Sequence, residues 1–215
     1  MKLEKLLVNC SEVSVLIPVI AGIRSYPVLT LPFKILFYFF VLSGLFEIQS
    51  RIAIVLWQNN MPGQHLFTVV QFIAFTLLFL LHTQRKSLRV LLVANMLVLF
   101  GFALFNAITS IKDPNSLARG YAAASLTVYA LIYLYYLFAI DSTRYVWQYP
   151  MFWICIGILM YFTVNFMYIM TKQYLIAKHL DVEWVGHLLH SVLNIIAHCL
   201  YAQAFTSLRK WKTAS

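Results

Sequence analysis

Acidic side chains are the scarcest feature of this chain: seven Asp and Glu in 215 residues, against sixteen Lys and Arg. Charged residues of both signs reach only 11%. A water-soluble domain carries about 25%, so a soluble globular fold is excluded. Glycine (seven) and proline (six) are also few, which excludes collagen-like and low-complexity linker architectures. The three cysteines, Cys10, Cys155 and Cys199, lack the spacing of a disulfide framework or a zinc site. Cys155 and Cys199 fall inside apolar runs, where a cysteine acts as a small hydrophobe. What the chain does have is hydrophobic side chains, at 62% of residues, and a mean hydropathy of +0.80. That much apolar surface calls for lipid.

Seven apolar segments can be drawn, near 6–23, 32–56, 64–81, 90–108, 117–140, 151–170 and 184–205. Each is long enough, at about 1.5 Å per residue, to approach the ~30 Å of a bilayer core. The expected fold is an all-α membrane protein, a seven-transmembrane-helix bundle, with residues 1–215 forming a single polytopic domain. Seven spans with short loops leave no room for a soluble catalytic domain. Lys2 and Lys5 resemble the start of a signal peptide, but Glu12 interrupts the apolar run and no small-residue cleavage site follows. The first segment is therefore expected to be retained. Pro114 and Pro150 stand just before helices, where a missing N–H costs little. Pro18 lies inside the first span and is expected to kink it.

Basic residues sit in loops and tail rather than on a globular face. With the N-terminus outside, nine of the sixteen fall on the cytoplasmic side, including Arg85, Lys86 and Arg89 in one loop and Arg209, Lys210 and Lys212 in the tail. The cytoplasmic excess of Lys and Arg in such proteins favours N-out, C-in. These clusters suit anionic headgroups or a docking partner. No domain remains to read nucleic acid. Trp57, Trp147, Tyr149, Trp184 and Trp211 lie near span ends, where amphipathic rings suit the headgroup layer.

The stretch from Trp184 to Phe205 organises the rest. It is long enough to span, yet His187, His190, Ser191, Asn194, His198 and Tyr201 gather on one side of its helix. Leucines and isoleucines such as Leu189, Val192 and Ile196 take the other. One side faces lipid or an apolar neighbour, and the other faces the bundle interior.

Other spans carry one polar stripe each. Glu47 and Arg51 are spaced i, i+4 on the second, where an unpaired charge costs ~3 kcal/mol on insertion scales. Gln64, Thr68, Gln71 and His82 share a face of the third. Asn95 and Asn106 align on the fourth, Tyr121, Ser125, Tyr129 and Tyr136 on the fifth, and Tyr161, Asn165 and Tyr168 on the sixth. Interhelical hydrogen bonds, about 0.6 kcal/mol each in membranes, explain scattered Asn, Gln and Tyr. Three histidines on one face point further, to a wet pocket, proton chemistry or metal.

Enzymatic readings are weak. A single metal ion is not spanned by His190 and His198, which lie ~12 Å apart along the axis. His187 with His190 needs a ligand from another helix, and no aspartate lies mid-span to activate water. A retinal protein needs a lysine in the last span, and Trp184 to Leu208 contains none. Inverted repeats of the usual secondary transporters are absent.

The motifs NSLARGYAAASLTVYALIYLYYLF (Asn115 to Phe138), PMFWICIGILMYFTVNF (Pro150 to Phe166) and HLLHSVLNIIAHCLYAQAF (His187 to Phe205) resemble a group of small bacterial seven-span proteins. Genes of that group often accompany sensor histidine kinases. The resemblance runs from the second span to the seventh and brings no activity with it. Where the group often has glutamate in its third span, this chain has Gln71. The resemblance implies residence in the bacterial inner (cytoplasmic) membrane as a multi-pass protein.

The expectation is a receptor-like or sensory module without a cofactor. Its polar interior would be Glu47, Gln71, Asn95, Tyr129, Asn165, His187, His190, Asn194 and His198, meeting a small molecule, lipid or proton. Signal would pass to a partner protein at Arg85–Arg89 or Arg209–Lys212. The alternatives are a metal-dependent membrane hydrolase of lipid or amide substrates, a proton or small-molecule carrier, and a structural membrane subunit.

Overall fold

In hydrocarbon no water is at hand for backbone N–H and C=O groups, so an apolar run satisfies them internally by coiling into a helix. The computed structural model describes residues 2–140, 146–169 and 183–214, and among these there is no strand. The helices are α1 (Lys2–Val13), α2 (Leu16–Ser25), α3 (Leu31–Trp57), α4 (Met61–His82), α5 (Lys86–Ser110), α6 (Ser116–Ile140), α7 (Pro150–Ile158) and α8 (Glu183–Ala214). α7 runs on through a π-helical turn, Leu159–Thr163, and a helical stretch over 164–169. Seven helical stretches are long and apolar enough to cross a membrane: Lys5–Val28, Leu31–Trp57, Met61–His82, Lys86–Thr109, Ser116–Ala139, Pro150–Ile169 and Leu188–Arg209. The chain is a multi-pass, all-helical membrane protein.

The first span is discontinuous. α1 ends at Val13 and α2 begins at Leu16. Pro18 explains the position of the break, because a proline ring clashes with the carbonyl four residues earlier and offers it no N–H. That carbonyl belongs to Ser14, and it accepts instead from the Ile17 N–H, one residue closer, at 2.9 Å. The expected kink is present, centred four residues before the proline that causes it.

Other boundaries have equally local causes. α3 stops at Gln58, which takes a left-handed φ of 54°, a common helix terminator. α4 then starts with Pro62 in its first turn, and the Asn59 side-chain oxygen accepts the Met61 N–H at 2.8 Å. α7 opens on Pro150.

Two compact units make up the chain: residues 1–30 with 127–215, and residues 31–126. In the first, α8 is the central element and packs against α1, α2 and α7. Ile154, Cys155, Ile158, Ala204 and Phe205 are fully buried there. In the second, α4 packs between α3 and α5, with Leu36, Phe40, Phe72, Phe75, Leu78, Leu92 and Leu99 buried. The Phe39 ring meets Phe75 edge-on at 5.4 Å, a geometry that aromatic pairs prefer.

Candidate functional site

α8 is helical because its apolar residues recur on one face. Leu189, Val192 and Ile196 are exposed, while Ser191, His198 and Tyr201 are buried and His190 and Asn194 half-buried. The stripe's polar residues divide between two neighbours.

Toward α7, the His190 Nδ1 lies 3.0 Å from Asn165 Oδ1. Asn165 donates through Nδ2 to the Tyr161 carbonyl at 2.7 Å, and the rings of Tyr161 and His190 lie 5.4 Å apart. Tyr161 belongs to the π turn Leu159–Thr163. Such turns are rare and gather at functional sites. A few residues earlier Gly157 lets the helices close in, since a Cβ there would come 2.6 Å from Cε1 of the buried Tyr201 ring.

Toward α1, Asn194 Nδ2 donates to Ser11 Oγ at 3.0 Å, and His198 Nδ1 lies 2.7 Å from Ser14 Oγ. Ser11, Ser14 and His198 are all buried. Ser14 is the residue at which the first span breaks. His198 is ten residues from Leu188 and eleven from Arg209, the midpoint of the last span. A buried imidazole therefore meets a helix break at mid-depth.

The proton positions bear on chemistry. Ser14 Oγ donates to the Ser11 carbonyl at 2.5 Å, and a carbonyl can only accept. The hydroxyl proton being placed there, Ser14 accepts from the His198 Nδ1–H. An activated serine nucleophile needs the reverse, with the base drawing on the hydroxyl proton. The pair is a latch between α1 and α8 in this arrangement.

In the second unit, the Tyr121 hydroxyl donates to Asn95 Oδ1 at 2.7 Å. Glu47 and Gln71 are half-buried on α3 and α4. Tyr129 is buried in the first unit, on α6. The side chains of His187, Lys210 and Lys212 lie outside the described residues. Arg85, Lys86, Arg89 and Arg209 are exposed. The structure thus joins His190 to Asn165 and ties Asn194 and His198 to α1. Glu47, Gln71 and Asn95 belong to the other unit. Among the described residues, no three His, Cys, Asp or Glu side chains gather closely enough to hold a metal ion.

Sequence reasoning missed a second polar cluster, where the α3–α4 and α5–α6 turns meet. Asn115 is 2% exposed and donates to Thr68 Oγ1 at 2.8 Å. His65 Nε2 lies 3.0 Å from the Asp113 carbonyl, Asn59 donates to the Lys112 carbonyl at 3.1 Å, and Asn60 to Ser50 Oγ at 2.6 Å. The available signal was the run of Asn in both turns, since Asn caps turns with its side chain.

No protein-family model matches the chain, and no curated protein or solved structure is detectably similar to it.

Proposed function

We propose that this protein is a receptor-like sensory module of a bacterial inner membrane, oriented N-out and C-in. A small molecule or lipid meets the polar face of α8, at His190, Asn194 and His198 with Asn165 beside them. The partner that receives the signal docks on the basic side chains of Arg85, Lys86 and Arg89 or on the tail from Arg209 to Lys212.

The observation that carries this reading is the His198–Ser14 pair, 2.7 Å apart at the break in the first span. An interhelical hydrogen bond in a membrane contributes only about 0.6 kcal/mol on average. A broken helix gives up backbone bonds that hydrocarbon cannot replace. Packing alone gives no reason to put both at one depth, whereas intramembrane binding sites are commonly built from interrupted helices near the midplane.

The test is thermal unfolding of the purified protein in nanodiscs, with polar lipid extract and with small metabolites, across pH 5 to 8. A ligand at hundredfold excess over its Kd stabilises by about 2.7 kcal/mol, roughly 5–10 °C for a chain of this size. The wild type is expected to shift and a His190→Ala/His198→Ala variant to stay flat. A wild-type melting point indifferent to every condition contradicts the sensory reading. A C-terminal fluorescent fusion, bright only in the cytoplasm, checks the orientation.

The interrupted first span also favours a second reading, a proton or small-molecule carrier using the same residues. Proton flux into liposomes that His198→Ala abolishes would select the carrier over the sensor.

A further inference from the structure

The hydrogen-bond directions on α8 assign a chemical class to its ligand, an inference that rests on α8 being a binding face. Asn165 donates its amide Nδ2 to the Tyr161 carbonyl, which turns Oδ1 toward His190. A carbonyl oxygen accepts only, so at 3.0 Å the proton between them belongs to His190 Nδ1. Ser14 donates to the Ser11 carbonyl, so at 2.7 Å the proton between Ser14 and His198 belongs to His198 Nδ1. Asn194 directs Nδ2 at the Ser11 hydroxyl and, at 3.5 Å, at the Ser11 carbonyl.

All three residues give their donors to α1 or α7. What each keeps is an acceptor: Nε2 of His190, Oδ1 of Asn194 and Nε2 of His198. They are spaced four residues apart on one helix face, about 6 Å from one to the next along the axis. An anion would find no donor among them. No Lys or Arg occurs between Trp184 and Leu208 to supply one. A group rich in N–H donors fits, and the Tyr161 ring beside His190 adds an aromatic face of the kind that attracts cations. We propose that the α8 stripe selects a primary ammonium group and discriminates against carboxylates and phosphates. His190 lies two residues inside the last span, within reach of either a dissolved amine or the ammonium of a lipid headgroup.

The experiment uses the full chain in phosphatidylcholine nanodiscs, which hold no primary amine. The probes are ethanolamine, dodecylamine and added phosphatidylethanolamine, with laurate as the anionic control. At least one amine probe is expected to raise the melting point by several degrees while laurate gives none. A shift with ethanolamine assigns the soluble source, and one confined to dodecylamine or phosphatidylethanolamine assigns the membrane source. In a His190→Phe/His198→Phe variant, which keeps ring volume without the acceptors, the amine shift should disappear. Histidine-selective ¹⁵N spectra of the wild type should show Nδ1 protonated on both rings, a readout independent of how the variant folds.

Equal or greater stabilisation by laurate, an amine shift that survives the double substitution, or protons on Nε2 would overturn the proposal. A response to lipid extract with none to any amine defeats the ammonium class and leaves the sensory reading standing. No response to anything defeats both.

Discussion

His198 Nδ1 and Ser14 Oγ lie 2.7 Å apart, and the same Ser14 oxygen is 2.5 Å from the Ser11 carbonyl. Ser14 stands four residues before Pro18, at the point where that proline interrupts the first span. A backbone defect, a small hydroxyl and a mid-depth imidazole are thus one arrangement.

Removing the hydroxyl isolates the imidazole N–H where water cannot reach it. Ser14→Ala should destabilise the protein by about 1–2 kcal/mol, toward the range for an unsatisfied buried donor and above the membrane average for a lost contact. Reversible unfolding in mixed micelles measures it. A change within about 0.3 kcal/mol would mean that the pair contributes nothing.

Pro18→Ala returns an N–H to the Ser14 carbonyl and lets the first span run straight. The Ser14–His198 contact should then loosen, so the cost of Ser14→Ala should shrink in the Pro18→Ala background. A double-mutant cycle should give a coupling of at least about 0.5 kcal/mol between these two positions. Additive effects would separate the proline from the latch.

Two glycines should behave oppositely. At Gly157 a new Cβ presses on Tyr201 at 2.6 Å, so Gly157→Ala should cost about 1–3 kcal/mol as overpacking does. At Gly101 nothing lies within 4 Å, and Gly101→Ala should be neutral or stabilise by up to about 1 kcal/mol through helix propensity. Equal melting points for the two variants would contradict the close approach of α7 and α8.

Asn115→Ala removes the donor to Thr68 and empties a buried site. The expected loss is about 1–3 kcal/mol, with faster hydrogen exchange in the two turns it helps to hold. Unchanged exchange over residues 58–64 and 111–116 would show that the cluster is incidental.

The spans could be read from sequence because hydrocarbon imposes a length and an apolarity that few other environments demand. The expected segments and the observed helices differ mainly at ends such as Lys86–Arg89, where basic side chains continue the helix beyond the apolar run. The inward side of α8 was readable for the same reason, through the contrast of Leu189, Val192 and Ile196 with His198 and Tyr201. Its partners were not. Ser11 and Ser14 are small and common, and nothing in a linear pattern says which helix will bring them to Asn194 and His198. The π turn at Leu159–Thr163 contains no proline or glycine to announce it. His65 and Asn115 were passed over because turn residues beside a span look like solvent-facing punctuation until two turns meet. The gathering of Glu47, Gln71 and Asn95 with the α8 residues was an inference from polarity, which fixes a preference for the interior and not a place in it.

The most direct measurement is a through-space correlation in magic-angle-spinning NMR of the histidine- and serine-labelled protein in lipid bilayers. A cross-peak between His198 Nδ1 and Ser14 Cβ, with the proton on Nδ1, is the predicted result. A His198 ring that instead correlates with acyl-chain protons and not with Ser14 would contradict it.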